Sequence, residues 1–401
     1  MTEPVAPSSR ERWEIAFLGF LCLFFNAGLG FFLYPVIRQS FQNDTNLGWD
    51  YSDMDIGLAW WCLAGAIFSP ICGKAIDRFG PRKIILAGSL LQIAVFFSFP
   101  YMTELKHLYI LFAFSSLANV ANTYIPVATA VEQWFDEDRG KAMGLAMLGL
   151  GVGGFFATTA GEYLLRSYSW QETYRIFGVM LIGMFLISFW RFKDRTDFQH
   201  ADIEDSTGTV VGLTLLGALK TRSFWAIGLA DAVIGMVYNI FTAELPLMAQ
   251  HAGFSESKGA LVLGLFLFFQ SVGLIIFGLL ADTKPLKSLM FICYLGPAIA
   301  TLAMFKAELA VFLFAFTVLG GIFGGGRSAL FPLALGNSFG VVHMGAIYGA
   351  LNVLFYLGMA IGPTMASGLY EAQEHFNTVY SICIGLALCA GFGIRLMRKE
   401  Y

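Results

Sequence analysis

Apolar runs of about 20 residues or more, long enough to cross about 30 Å of hydrocarbon as helices, follow one another along almost the whole chain. They can be marked at Trp13–Ile37, Ile56–Ile76, Ile84–Met102, Leu108–Phe135, Ala142–Leu165, Tyr174–Phe192, Ser223–Ala249, Ala260–Ala281, Leu289–Phe305, Leu309–Leu335, Ala346–Tyr370 and Val379–Met397. The pattern predicts an all-α membrane protein of twelve transmembrane helices. They divide six and six: residues 1–192, a polar connecting segment 193–222, and residues 223–401.

The two halves echo each other. Gly48, Gly73, Asp77, Gly140 and Gly144 recur at a constant offset as Gly253, Gly278, Asp282, Gly345 and Gly349, and Trp49 is matched by Phe254. Each matched position lies at an end of an apolar run, where a special backbone geometry or a charge is needed. A period of roughly 200 residues is far too long for a solenoid, so it predicts two pseudo-symmetric six-helix bundles, an arrangement of many secondary transporters.

Composition agrees. Of 401 residues 57% are apolar and only 13% charged, against about 45–50% and about 25% in soluble domains. Lys and Arg placement then orients the chain, because cytoplasmic loops are enriched in them. With the N-terminus inside, the cytoplasmic segments hold Arg10, Arg12, Lys74, Arg78, Arg82, Lys83, Arg139, Lys141, Arg191, Lys193, Arg195, Lys220, Arg222, Lys284, Lys287, Arg395, Arg398 and Lys399. The other side holds Arg38, Lys106, Arg166, Arg175, Lys258 and Lys306. Both termini are therefore expected in the cytoplasm, and the first apolar run is too long for a cleaved signal-peptide core.

The six cysteines show no paired spacing, so neither a disulfide framework nor a metal site is expected. Asn43, Asp44 and Thr45 match a glycosylation acceptor, a triplet frequent by chance. Within the connecting segment, Val210–Leu219 is apolar but too short to span; it reads as an interfacial stretch or as part of a flexible tether.

Between the second and third runs lies Gly73-Lys-Ala-Ile-Asp77-Arg78-Phe-Gly80-Pro81-Arg82-Lys83. Gly80 and Pro81 suit the bend, and a carboxylate at a helix end can bind the positive N-terminus of a neighbouring helix. Arg78 and Arg82 can pair with acids or lipid phosphates; a loop that is merely positive-inside is the plainer reading. The spacing resembles the signature loop of the major facilitator superfamily. The second copy keeps Gly278 and Asp282 but has Thr283 and Pro285 in place of Arg78 and Gly80. Gly80-Pro81-Arg82-Lys83, Gly48-Trp49 before Ser52, Trp134-Phe135 with Arg139-Gly140, and Gly358 with Gly362-Pro363 resemble the monocarboxylate and oxalate/formate branch. The chain departs from that branch in lacking the acidic-glycine-aromatic signature in its first run, and in lacking basic residues in its eighth and eleventh. The resemblance implies a twelve-helix carrier working by alternating access. It also implies gating by Gly73, Asp77, Arg78, Gly80, Arg82 and Asp282, with Asp77 meeting the helix at Gly345 and Asp282 the helix at Gly140.

A charge deep in a span costs about 2.5–3.5 kcal/mol on insertion scales and is a functional-site hypothesis by default. Asp231 and Arg327 are the two deep charges, each eight residues from the cytoplasmic end of its run, roughly 12 Å at 1.5 Å per residue. Two readings stand. The pair fixes helix packing permanently, or Arg327 binds a substrate carboxylate while Asp231 takes up the coupled proton. No histidine is deep in a span. Polar residues at helical spacing mark further substrate-contact candidates: Tyr238 beside Asp231, Asn119 and Asn122 in the fourth run, and Asn26, Gln270, Asn352 and Tyr356 elsewhere. Each alone is more often interhelical glue than a ligand contact. Glu132, Glu162 and Glu244 lie nearer run ends, where solvation is expected. The glycines of the fifth and tenth runs read mainly as close packing.

The sequence thus points to a monomeric carrier in a lipid bilayer, expected in a bacterial inner (plasma) membrane. It would move a small organic anion, a monocarboxylate, together with a proton. Zwitterion transport and a non-transporting sensor are the alternatives. No catalytic cluster, metal site, cofactor or nucleic-acid partner is expected.

Overall fold

The computed structural model describes residues 9–44, 47–49, 51–135, 137–195 and 212–400. Thr45 of the acceptor triplet and most of the connecting segment lie outside them. Among the described residues, twelve helices are long and apolar enough to cross a membrane. They are α1 (Ser9–Arg38), α2 (Ile56–Phe79), α3 (Pro81–Tyr101), α4 (Leu105–Trp134), α5 (Arg139–Leu165) and α6 (Trp170–Arg191), then α7 (Arg222–His251), α8 (Leu261–Ala281), α9 (Leu286–Lys306), α10 (Ala310–Phe339), α11 (Met344–Tyr370) and α12 (Asn377–Ile394). Several begin before the apolar run does, because polar capping residues are helical without being apolar. In α6 the Ser169 hydroxyl accepts from the Glu172 amide at 3.2 Å and the Glu172 carboxylate accepts from the Ser169 amide at 3.1 Å, a reciprocal capping box. Thr221 caps α7 by accepting from the Phe224 amide.

Two helices are irregular. In α1, Leu23–Ala27 forms a π-helical turn that carries Asn26. In α4 the backbone breaks at Thr123 (φ −122°, ψ −115°). Pro126 follows three residues later, and a proline cannot donate to the carbonyl four residues back. The Thr123 hydroxyl donates to the Asn119 carbonyl at 2.6 Å, in the last turn before the break.

The chain divides into two compact units. One comprises Met1–Glu137, Leu145–Gly212 and Val341–Ala350; the other comprises Asp138–Gly144, Leu213–Gly340 and Leu351–Tyr401. In the first, Phe99 stacks on Tyr174 at 4.4 Å between ring centroids and Phe41 meets Trp170 edge-on at 4.9 Å. A Cβ at Gly149 or Gly153 of α5 would overlap the backbone of Phe20 or Phe24 in α1, so these glycines let the two helices approach closely. In the second unit Gly321 and Gly325 of α10 do the same against Phe266 and Gln270 of α8. All six cysteines are free thiols.

The repeated glycines have physical reasons. Gly48 (φ +60°) and Gly253 (φ +91°) have open space around them but a backbone conformation that side-chain-bearing residues rarely adopt. In the first unit a Cβ at Gly73 would overlap the Gly345 carbonyl, and one at Gly349 the Ser69 carbonyl. In the second unit a Cβ at Gly140 would overlap the Gly278 carbonyl, and one at Gly144 would press on the Leu274 carbonyl.

Candidate functional site

Asp231 on α7 and Arg327 on α10 face each other in the second unit. The Arg327 Nε donates to Asp231 Oδ1 at 2.7 Å and an Arg327 terminal nitrogen donates to Oδ2 at 2.6 Å, a bidentate pair. A third helix joins them: the Tyr294 hydroxyl of α9 donates to the same Oδ1 at 2.9 Å. The Arg327 guanidinium also lies over the Phe355 ring of α11, 4.5 Å from its centroid. The Asp231 side chain is 2% exposed and that of Arg327 14%, so the cation is the reachable member of the pair.

Tyr294 and Phe355 escaped the sequence reading, which sought deep charges and isolated polar residues. One signal was present for the tyrosine. Tyr294 lies about eight residues into α9, the same depth of roughly 12 Å that matched Asp231 with Arg327.

Tyr238 donates to the Gly320 carbonyl at 3.1 Å, and its ring fills the space where Gly324 would carry a Cβ. It braces α7 on α10. Gln270 and Asn352 are partly exposed and Tyr356 is buried, all three in the second unit. Asn239, one residue beyond Tyr238, donates to the Met359 carbonyl at 2.6 Å and ties α7 to α11. The remaining candidates belong to the first unit. Asn26 Nδ2 lies 3.5 Å from Ser89 Oγ, and Asn119 accepts from Thr123. Asn122 is fully buried with neither amide atom hydrogen-bonded among the described residues, as is Gln92 of α3, which the sequence reading passed over. Within the second unit the structure joins Asp231 to Arg327, with Tyr238 bridging the same two helices.

Glu132 corrects an expectation. It lies near the end of α4, yet it is 1% exposed rather than solvated, so proximity to a helix end does not by itself give access to water. Glu162 does reach solvent and pairs with Arg166 at 2.8 Å.

The two loop aspartates bind helix N-termini. In the first unit Asp77 Oδ1 and Oδ2 accept from the Gly345 and Ala346 amides, each at 2.8 Å, at the start of α11. In the second, Asp282 accepts from the Gly140 and Lys141 amides at 2.7 and 3.1 Å, at the start of α5. A carboxylate there satisfies amides that have no partner inside the helix and complements the positive end of its dipole. Gly73 and Gly278 stand one turn earlier, where a side chain would hold the partner helix away. Gly80 (φ +85°) makes the turn into α3. Arg82 donates to the Phe189 carbonyl at 2.8 Å, and its own amide donates to Asp194 at 2.8 Å, so it ties α3 to the end of α6. Arg78 lies over its neighbour Phe79.

Twelve membrane-length helices, paired helix-end carboxylates and a buried ion pair among α7, α9 and α10 define a multi-pass membrane protein of the carrier class. The model of the Major Facilitator Superfamily matches residues 15–305 and 227–401, and the chain belongs to that family. Among curated relatives it is 23% identical over 395 residues to monocarboxylate transporter 12 of Mus musculus, covering 89% of this chain and 79% of that protein. It is 25% identical over 340 residues to monocarboxylate transporter 13 of Bos taurus, covering 83% and 77%. In fold it is similar to the E. coli fucose:proton symporter FucP, with a TM-score of 0.75, 14% identity and coverage of 96% and 98%. It is likewise similar to the human organic anion transporter MFSD10, with a TM-score of 0.73, 13% identity and coverage of 98% and 100%.

Proposed function

We propose that this protein carries a small monocarboxylate across the membrane with one proton, using Arg327 as the anion-binding group and Asp231 as the proton carrier. The observation that carries the reading is the bidentate Asp231–Arg327 pair with only its cation reachable. At rest the two charges cancel. A substrate carboxylate that displaces Asp231 from Arg327 leaves the aspartate as an uncompensated charge in a low-dielectric site, which is costly. A proton on Asp231 restores neutrality, so one carboxylate enters with one proton. Tyr294 keeps Asp231 in place when Arg327 turns to the substrate. The names of the relatives, monocarboxylate transporters, support the substrate class.

In the same reading Asp77 and Asp282 act as latches that release the starts of α11 and α5 during the transport cycle, with Gly73 and Gly278 giving them close approach. The Lys and Arg distribution supports cytoplasmic termini, and a monomer in a bacterial inner (plasma) membrane completes the proposal.

The test is thermal stabilisation of purified wild type and Arg327→Ala across monocarboxylates, dicarboxylates and amino acids, since a ligand that binds only the folded state stabilises it. A monocarboxylate that stabilises wild type and not the variant supports the site. Equal stabilisation of both, or a response to amino acids alone, overturns it; the second result would move the protein to zwitterion transport.

A further inference from the structure

On the surface of the second unit a groove of about 650 Å³ opens between α7 and α12, a volume within the range of small-molecule sites. Its mouth carries Lys220 and Arg222, and its apolar length is lined by Trp225, Ala226, Leu229, Val233, Gly393 and Leu396. Trp225, Leu229 and Leu396 are 46%, 52% and 62% exposed, so this is an open apolar face. We propose that it binds one anionic phospholipid of the cytoplasmic leaflet, the phosphate held by Lys220 and Arg222 and an acyl chain lying along the groove toward Val233.

Three features commit the groove to that occupant. Charge and apolar surface are segregated as they are in a phospholipid, with both cations at one end. The length agrees: from Arg222 to Val233 the helix rises roughly 16 Å at 1.5 Å per residue, about half of the ~30 Å hydrocarbon core, which is one leaflet. The mouth is also built rather than trailing. The five-residue helix Leu215–Leu219, capped by Thr214, leads straight into it, Leu213 anchors that helix by donating to the Phe339 carbonyl at 2.8 Å, and the Trp225 indole donates to the Leu219 carbonyl at 3.0 Å. Leu216 is 72% exposed, as a residue dipping into the interface would be. The acid beside the mouth, Glu400, is hydrogen-bonded by the Ser223 hydroxyl. The Lys and Arg count places this end on the cytoplasmic side, where anionic headgroups attract basic residues.

The experiment measures stabilisation and lipid retention, by melting in detergent and by native mass spectrometry, on titration with phosphatidylglycerol, phosphatidylcholine or inorganic phosphate. Phosphatidylglycerol should stabilise the wild type and remain bound as a single adduct. Phosphatidylcholine should do so far less, and inorganic phosphate should neither stabilise nor compete. The double variant Lys220→Gln/Arg222→Gln should weaken the apparent affinity roughly thirtyfold, whereas Lys284→Gln/Lys287→Gln, which removes equal charge from another loop on the same side, should leave it unchanged. Gly393→Leu should abolish retention by filling the groove; a Cβ there meets Ala230 only at 4.0 Å, so lipid-free melting should match wild type. Equal losses in both charge variants, full retention in Gly393→Leu, competition by phosphate, or equal binding of the two lipids would each overturn the proposal.

Discussion

Tyr294 donates its hydroxyl hydrogen to Oδ1 of Asp231, the same oxygen that takes the Nε–H of Arg327. The carboxylate is thus held from α9 as well as from α10, and in the proposed cycle Tyr294 is the partner it would keep once the guanidinium turned to substrate. Tyr294→Phe should lower stability by about 1 kcal/mol, the net worth of one hydrogen bond, and slow transport in proteoliposomes. A variant transporting at the wild-type rate would leave Tyr294 with a packing role only.

A buried pair is more sensitive to losing one member than both. Arg327→Ala alone should destabilise by about 3–5 kcal/mol, because Asp231 remains as a buried unpaired charge. The double variant Asp231→Asn/Arg327→Gln should recover most of that stability and still fail to transport. Melting curves and transport assays on Asp231→Asn, Arg327→Gln and the double variant separate the roles. Transport at the wild-type rate by the double variant would reduce the pair to a structural device.

The two aspartates at helix N-termini make a symmetrical prediction. Asp77→Asn and Asp282→Asn each remove a charge from a helix N-terminus, an interaction of about 0.3–2 kcal/mol. Both should lower the melting temperature and alter transport rate, while Gly73→Ala and Gly278→Ala should do so more strongly by driving backbones apart. Unchanged rates in correctly inserted aspartate variants would end the gating proposal.

Gly48 and Gly253 isolate a purely conformational cost. Among the described residues, a methyl group placed at either site would have nothing within 4 Å. Gly48→Ala and Gly253→Ala should therefore each cost about 1–2 kcal/mol through the positive φ alone. Both should leave substrate affinity untouched in a binding titration.

Asp194, beyond the end of α6, supplies a pH dependence. Burial raises its carboxyl above the ordinary range, outweighing the Arg82 amide that favours the charged form. The folded state therefore holds this proton more tightly than the unfolded chain. The associated stability is full below the unfolded value of about 3.9, and it declines as pH rises toward the raised folded value. Asp194→Asn should flatten that slope in melting curves recorded across the window.

The sequence by itself determined the twelve crossings, since hydrocarbon thickness fixes helix length and apolar composition is a local property. It also determined the repeat, whose glycines and aspartates are conspicuous because special backbone geometry and charge at helix ends narrow the choice of residue. The depth of Asp231 and Arg327 was legible by counting along their helices. Only the tertiary structure decided which faces meet. That Tyr294 completes the pair, that Phe355 lies against Arg327, that Tyr238 braces α10 and that Glu132 is sealed from water all depend on helix rotation and on neighbours remote in sequence. Rotation is weakly encoded in a membrane helix, because lipid and protein interior are both apolar and the periodicity that marks a buried face in water is blurred here.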